Sequence, residues 1–231
     1  MAKRLKPLIK PAGQSPGTLT YVGKQTLRNT RVTLTEYDEH THRIIEIPTL
    51  NECALLRPSS LVSWINVDGI GNPEAVSTIG KAFGLHPLLL EDVLNTEQKP
   101  KIEHYDQAIF VVMKMMEFNP RTHEIETEHV SLVLGPSFLI SFQEEREGDP
   151  FDPVRLRLTN ALGRIRRSGA DYLFYALMDT IVDNYFVVLE NLGERLEELE
   201  GEIINNAGSQ SQRLLYAQKR ELILMRKFVW P

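Results

Sequence analysis

Residues 86–106 read HPLLLEDVLNTEQKPKIEHYD, and the way this stretch is parsed decides the rest of the chain. Pro87 suits the first position of a helix, where its missing N–H costs nothing. Leu88, Leu89, Val93 and Leu94 then recur at helical spacing, which leaves Glu91 and Asp92 on the flank. Asn95-Thr96 ends the helix, and Pro100 biases Lys99 toward extended backbone. The stretch therefore predicts a short helix, a polar loop and then a strand from Ala108 to Met115, with an acidic pair beside the loop.

Working outward, period-two patterns surround this segment. Arg31 to Tyr37 and Arg43 to Ile47 alternate around the turn DEHTH and predict a β-hairpin. His40 and His42 form a His-x-His pair at its tip, but without a third ligand nearby they read as a solvated turn. Leu61 to Val67, which includes Trp64, is apolar enough for a buried strand. The loop DGIGN follows, then a helix from Pro73 to Phe83. The Gly-x-Gly in that loop lacks the third glycine of a dinucleotide fingerprint, so it is turn chemistry. Further strands are expected at 108–118, 125–134 and 138–143, closed by Asn119-Pro120-Arg121-Thr122-His123 and Gly135-Pro136-Ser137. Strands both in succession and interleaved with helices predict an α/β fold with a mixed sheet covered by helices.

Beyond Asp149-Pro150 the period becomes helical. Met178, Val182, Tyr185, Leu189, Leu192, Leu196, Leu199 and Ile203 are spaced three or four apart, as in a coiled-coil seam, which predicts a helix over 171–204 that projects from the domain. Asn205-Asn206-Ala207-Gly208 breaks it, and a second helix is expected from near Ser211. Residues 171–204 carry nine acids against Arg195, a net of −8, whereas 211–231 carry five bases against Glu221, a net of +4. This predicts an antiparallel hairpin. The distal glutamates read as its solvated face. Asp179 and Asp183 are different, because they sit one turn apart among large apolar residues, where a charge needs a partner or an ion. The second helix reaches Phe228-Val229-Trp230-Pro231 without a glycine cap, so the native chain is expected to continue as helix.

With 231 residues, 42% of them hydrophobic, there is enough material for a sizeable core. A net charge of −5 lacks the basic excess of a nucleic-acid binder. A single cysteine, Cys53, excludes an internal disulfide framework and reads as a core residue. Uninterrupted apolar runs fall short of the ~20 residues that cross a bilayer, so no segment is expected to span a membrane. Residues 1–17, with three prolines and two glycines, read as a mobile leader, followed by a domain over 18–168 and the hairpin over 169–231.

The His-Pro-Leu, Glu-Asp, Asn, Gln and basic-Pro-Lys run of 86–106 resembles the cytoplasmic domain of the CorA-type magnesium transporter family. FDPVRLRL (151–158), ADYLFYALMDTIVDNYF (170–186) and LMRKFVWP (224–231) support the likeness. The paired transmembrane helices and the Gly-Met-Asn signature of that family are not in these residues. The resemblance implies a three-layer α/β/α sandwich on the cytoplasmic side of a membrane, reached only through a C-terminal continuation. It also implies a homo-pentamer in the full-length protein, no enzymatic activity, and magnesium as the ion, with Co2+, Ni2+ or Zn2+ as alternatives. Regulatory metal sites between subunits carry over to Asp92 and Asp179, with Glu91 as an outer neighbour; the resemblance places their usual partner on the stalk beyond Pro231, so this chain is expected to hold only part of each site. On the residues alone, a solvated helix flank is the simpler reading of Glu91 and Asp92. A rival from another class is a soluble coiled-coil adaptor that binds a partner through its charged hairpin.

Overall fold

The computed structural model describes residues 13–23, 30–53, 55–56, 59–144, 150–205 and 209–230. The expected leader up to residue 12 and the helix break at 206–208 lie outside them. The alternating runs form β1 (Arg31–Tyr37) and β2 (His42–Ile47), and the apolar run around Trp64 forms β3 (Val62–Asp68). Later come β4 (Lys101–Tyr105), β5 (Ala108–Asn119), β6 (Glu124–Leu134) and β7 (Phe138–Gln143). These make one sheet of order β2-β1-β3-β7-β6-β5-β4. Only β3 and β7 pair parallel among them, with Trp64 opposite Leu139; the other neighbours are antiparallel. The mixed sheet is as expected. Strand β4 stands where the sequence predicts a loop, since KIEHY carries no buried face. Among the described residues it is an edge strand, paired with Ala108–Val112.

Each face of the sheet buries its own core. On one face Ile65, Val67, Phe110, Val112, Ile140 and Phe142 pack under α1 (Leu50–Cys53), α2 (Pro73–Ala82) and α3 (Pro87–Val93). Cys53 is buried in this layer, as its sequence setting implied, and burial pushes its thiol pKa up. On the other face Trp64, Val111, Val130, Leu132 and Leu139 pack under α4 (Asp152–Thr159), α5 (Ala170–Asn205) and α6 (Ser209–Val229). The result is the three-layer α/β/α arrangement. Trp64 stands edge-on to Phe151, with ring centroids 6.1 Å apart. Its indole N–H donates to Ser141 Oγ at 2.9 Å, and that hydroxyl donates to Asn66 Oδ1, so these three buried polar side chains are linked in one short chain.

The helical hairpin departs from expectation in two ways. The helical run after Pro150 breaks between α4 and α5, where Ala161 and Gly163 take positive φ. More importantly, the first half of α5 does not project. Leu173, Leu177, Ile181, Tyr185, Val188 and Leu192 belong to the sheet core, as do Met225 and Phe228 of α6. Val182 and Leu189, expected in the seam, are 39% and 45% exposed. A helix lying on a sheet buries a wider stripe than one zipped to a single partner, and here that stripe is centred about one residue earlier. Among the described residues α5 alone is long and apolar enough to cross a membrane. One stripe of its apolar side chains packs on the sheet, while Tyr175, Val182, Phe186, Val187 and Leu189 on the other side stay exposed.

Candidate metal centre

Helix α3 is fixed from both ends. His86 caps its start, the ring Nδ1 accepting the N–H of Leu88 at 3.2 Å, and Leu89, Leu90 and Val93 bury its inner face. The loop that follows is clamped by residues 21–23: the N–H of Val22 donates to Leu94 O and the N–H of Thr96 to Val22 O, both at 2.8 Å. Lys114, a buried lysine of β5, donates to Thr96 O from below. Glu91 and Asp92 are thereby held half-buried on the outer flank of α3.

The two acids have different local partners. Glu91 Oε2 accepts the backbone N–H of Gly17 at 2.6 Å, which ties residue 17 to α3. Asp92 Oδ2 lies 2.7 Å from Lys101 Nζ, and that same ammonium lies 2.8 Å from Glu103 Oε1. Gln98 donates to the Asp92 carbonyl and closes the loop. The Tyr105 hydroxyl donates to Glu103 Oε2 at 3.0 Å. Burial opposes the charge on Lys101, but hydrogen bonds to Asp92 and then Glu103 outweigh it, and its pKa rises. The Lys101 hydrogen bond lowers the pKa of Glu103. Burial, then the Glu103 hydrogen bond, push the Tyr105 phenol up to about 12.

Asp179 lies in the opposite helix layer, on α5. Its Oδ1 accepts the Tyr175 hydroxyl at 3.1 Å, and that bond raises the Tyr175 pKa. Asp183, one turn on, is exposed. The setting differs from the one inferred from sequence. The neighbouring large residues Tyr175, Val182, Phe186 and Leu189 are themselves exposed, because the buried stripe of α5 faces the other way. Asp179 therefore borders an open apolar strip.

Asp92 and Asp179 are thus on opposite sides of the sheet. Among the described residues no three His, Cys, Asp or Glu side chains gather closely enough to hold a metal. What each position does offer suits magnesium: partly accessible carboxylate oxygens, one or two at a time, with room for retained waters. Neither position forms a closed metal cage among the described residues. A separate cleft of about 710 Å³ opens at the His86 end of α3, between Phe83, Tyr105 and Phe138; it includes neither Asp92 nor Asp179.

Sequence reasoning missed Lys101. The signal was present, because Lys101, Glu103 and Tyr105 occupy alternate positions and so share one face of a strand. Reading 95–107 as loop hid that pairing.

The family described as CorA-like Mg2+ transporter protein matches residues 60–231. The chain belongs to that family. It is 38% identical over 226 residues to the cobalt/magnesium transport protein CorA of Thermotoga maritima, covering 98% of this chain and 64% of the relative. The chain therefore spans less than two thirds of that CorA-like relative. The fold matches the soluble domain of CorA from Methanocaldococcus jannaschii with a TM-score of 0.65, at 16% identity, over 84% of this chain and 74% of that one. It also matches the ZntB cytoplasmic domain from Vibrio parahaemolyticus with a TM-score of 0.62, at 13% identity, over 85% and 74%. This CorA-like chain thus has transporters, not enzymes, for relatives.

Proposed function

We propose that this chain is the cytoplasmic regulatory part of a divalent-cation transporter, which senses intracellular Mg2+ through carboxylates at contacts between copies and so gates a pore formed elsewhere in the full-length protein. The observation that carries this reading is the separation of Asp92 and Asp179 onto opposite helix layers, each partly accessible and neither within a closed ligand set. In a ring of copies, here a pentamer, one layer of each subunit meets the other layer of the next. Separation within one chain then becomes juxtaposition between two. Tyr175, Val182, Phe186 and Leu189 give each copy an apolar strip beside Asp179 to bury in that contact.

When bound, Mg2+ supplies two positive charges and shares retained waters with oxygen ligands. Asp92 and Asp179 would ligate it, with Glu91 in the outer neighbourhood. Without that charge, facing carboxylates repel by roughly 1 to 4 kcal/mol per close pair, and the contacts between copies loosen. Falling internal Mg2+ thereby shifts the ring toward the open population, which is negative feedback by mass action. The name of the Thermotoga relative supports cobalt as a second ion.

Transport by the full-length protein tests the proposal. With Asp92 and Asp179 both changed to Asn, flux should respond less steeply to internal Mg2+ and persist where the parent shuts off. An unchanged inhibition curve would overturn it.

A further inference from the structure

We infer that Lys101 is a tethered competitor at Asp92: its ammonium occupies that carboxylate when the divalent cation is absent and moves onto Glu103 when the cation arrives. This rests on the reading that Asp92 holds a regulatory cation. The geometry has the two properties that such a device requires. First, the ammonium already sits at the carboxylate, 2.7 Å from Oδ2, so a cation reaching Asp92 must displace a charge that is covalently part of the protein. Second, the displaced ammonium has somewhere to go. Glu103 Oε1 is 2.8 Å from the same nitrogen, and the Tyr105 hydroxyl holds the other oxygen of Glu103 in place at 3.0 Å. Lys101 and Glu103 share one face of an edge strand, so a small rotation of the lysine stem transfers the ammonium without moving backbone. The loop from α3 to β4 is meanwhile fastened by Gln98 to the Asp92 carbonyl and by the pairing of Val22 with Asn95, so the contest is between side chains on a fixed frame.

The functional consequence is a threshold. A bare carboxylate pair between copies would fill at low Mg2+ and stay filled. With the lysine competing, apparent affinity falls by the factor with which the ammonium holds Asp92. The empty ring is also less self-repelling, because each Asp92 keeps a counter-charge. Lys101 is therefore a competitor of the cation and not a ligand.

The test is the Mg2+ dose at which the cytoplasmic domain of the full-length protein becomes protected from proteolysis. Lys101→Met should move the midpoint about tenfold lower, the equivalent of about 1.4 kcal/mol. Lys99→Met makes the same charge change two residues away in the exposed loop and should move it less than twofold. Glu103→Gln, which removes the alternative perch, should raise the midpoint, and should have little effect once Lys101 is already Met. Lys101→Gln serves if the Met variant folds poorly, with the metal-free melting temperature as the check. A Lys101→Met midpoint equal to the parent's, or no further shifted than that of Lys99→Met, overturns the competitor role. If Asp92→Asn weakens protection in the same experiment, only the role of Lys101 has failed. If Asp92→Asn leaves the curve untouched, the regulatory reading of Asp92 fails with it.

Discussion

Glu221 of α6 accepts a hydrogen bond at 2.7 Å from the backbone N–H of Ile125, the second residue of β6. The contact joins residues 96 positions apart and docks the second arm of the hairpin on the sheet. Gln218, one turn earlier, donates to His123 O in the β5–β6 turn. The single acid among the five bases of 211–231 is thus a sheet anchor and not a stray charge.

Glu221→Ala should therefore destabilise the fold by about 1 to 3 kcal/mol, since it leaves a half-buried backbone donor without its charged acceptor. Glu198→Ala, on the exposed side of α5, should cost under about 1 kcal/mol although it breaks an ion pair with Arg195 at 2.8 Å. Urea midpoints of the two variants check the contrast. Equal losses would place α6 off the sheet.

Trp64→Ala should cost about 3 to 5 kcal/mol, the usual loss for a large buried aromatic. Trp64 is 1% exposed, and its removal also leaves Ser141 without the indole donor. Trp64→Phe keeps most of the ring contact with Phe151 and should cost distinctly less. Denaturant titration with an unchanged slope is the measurement.

Gly80 allows α2 and α3 to approach closely: a Cβ there would lie 2.3 Å from Leu90 Cδ1 and 2.7 Å from Cδ2. Alanine would gain up to about 1 kcal/mol of helix propensity but overpack this contact, at about 1 to 3 kcal/mol. Gly80→Ala should be net destabilising, and Gly80→Ala with Leu90→Ala less so than the sum of the two singles. Additive losses would mean that the helices do not meet here.

His129 is wholly buried between β5 and β7, with Lys114 opposite it, Ser131 Oγ at 2.8 Å and the Glu144 carboxylate on its backbone N–H. Burial, and then the Lys114 charge, hold its pKa well below 6.5. The folded state keeps the ring neutral while the unfolded chain protonates near 6.5, so the unfolded state binds more protons as pH falls. Stability is full above that value and is lost below it, by up to about 1.4 kcal/mol per pH unit from this group. Between pH 7 and pH 5.5 the parent should lose about 1 kcal/mol more than His129→Gln does. Urea midpoints at the two pH values decide it, and equal losses would mean that the ring is not buried neutral.

The parts of the fold that were legible from sequence are those with one partner face. Strands around Trp64, Phe110 and Phe142 announce themselves by apolar runs, and the turn at Asn119–His123 by its residues. Strand β4 did not, because an edge strand with half-exposed Lys101, Glu103 and Tyr105 has no buried alternation to detect. The face of α5 was misread for a related reason. Leu177/Met178, Ile181/Val182 and Val188/Leu189 are adjacent apolar pairs, and periodicity cannot say which member turns inward until the sheet beneath is placed. Of the candidate site, the acids were visible through the family resemblance, whereas Lys101, which meets Asp92 only after β4 folds back, was not.

The most direct test of the central claim is Mg2+-dependent protection of this domain from proteolysis in the full-length protein. Ligand that binds only the closed ring stabilises it by RT ln(1 + [L]/Kd), ~2.7 kcal/mol at a hundredfold excess over Kd. Asp92→Asn with Asp179→Asn keeps side-chain size while removing two negative charges per chain. The double variant should fold, resist proteolysis somewhat better than the parent without Mg2+, and lose most of the dose-dependent gain. A protection curve that matches the parent's at every Mg2+ concentration would show both residues to be ordinary helix-flank carboxylates and would contradict the account.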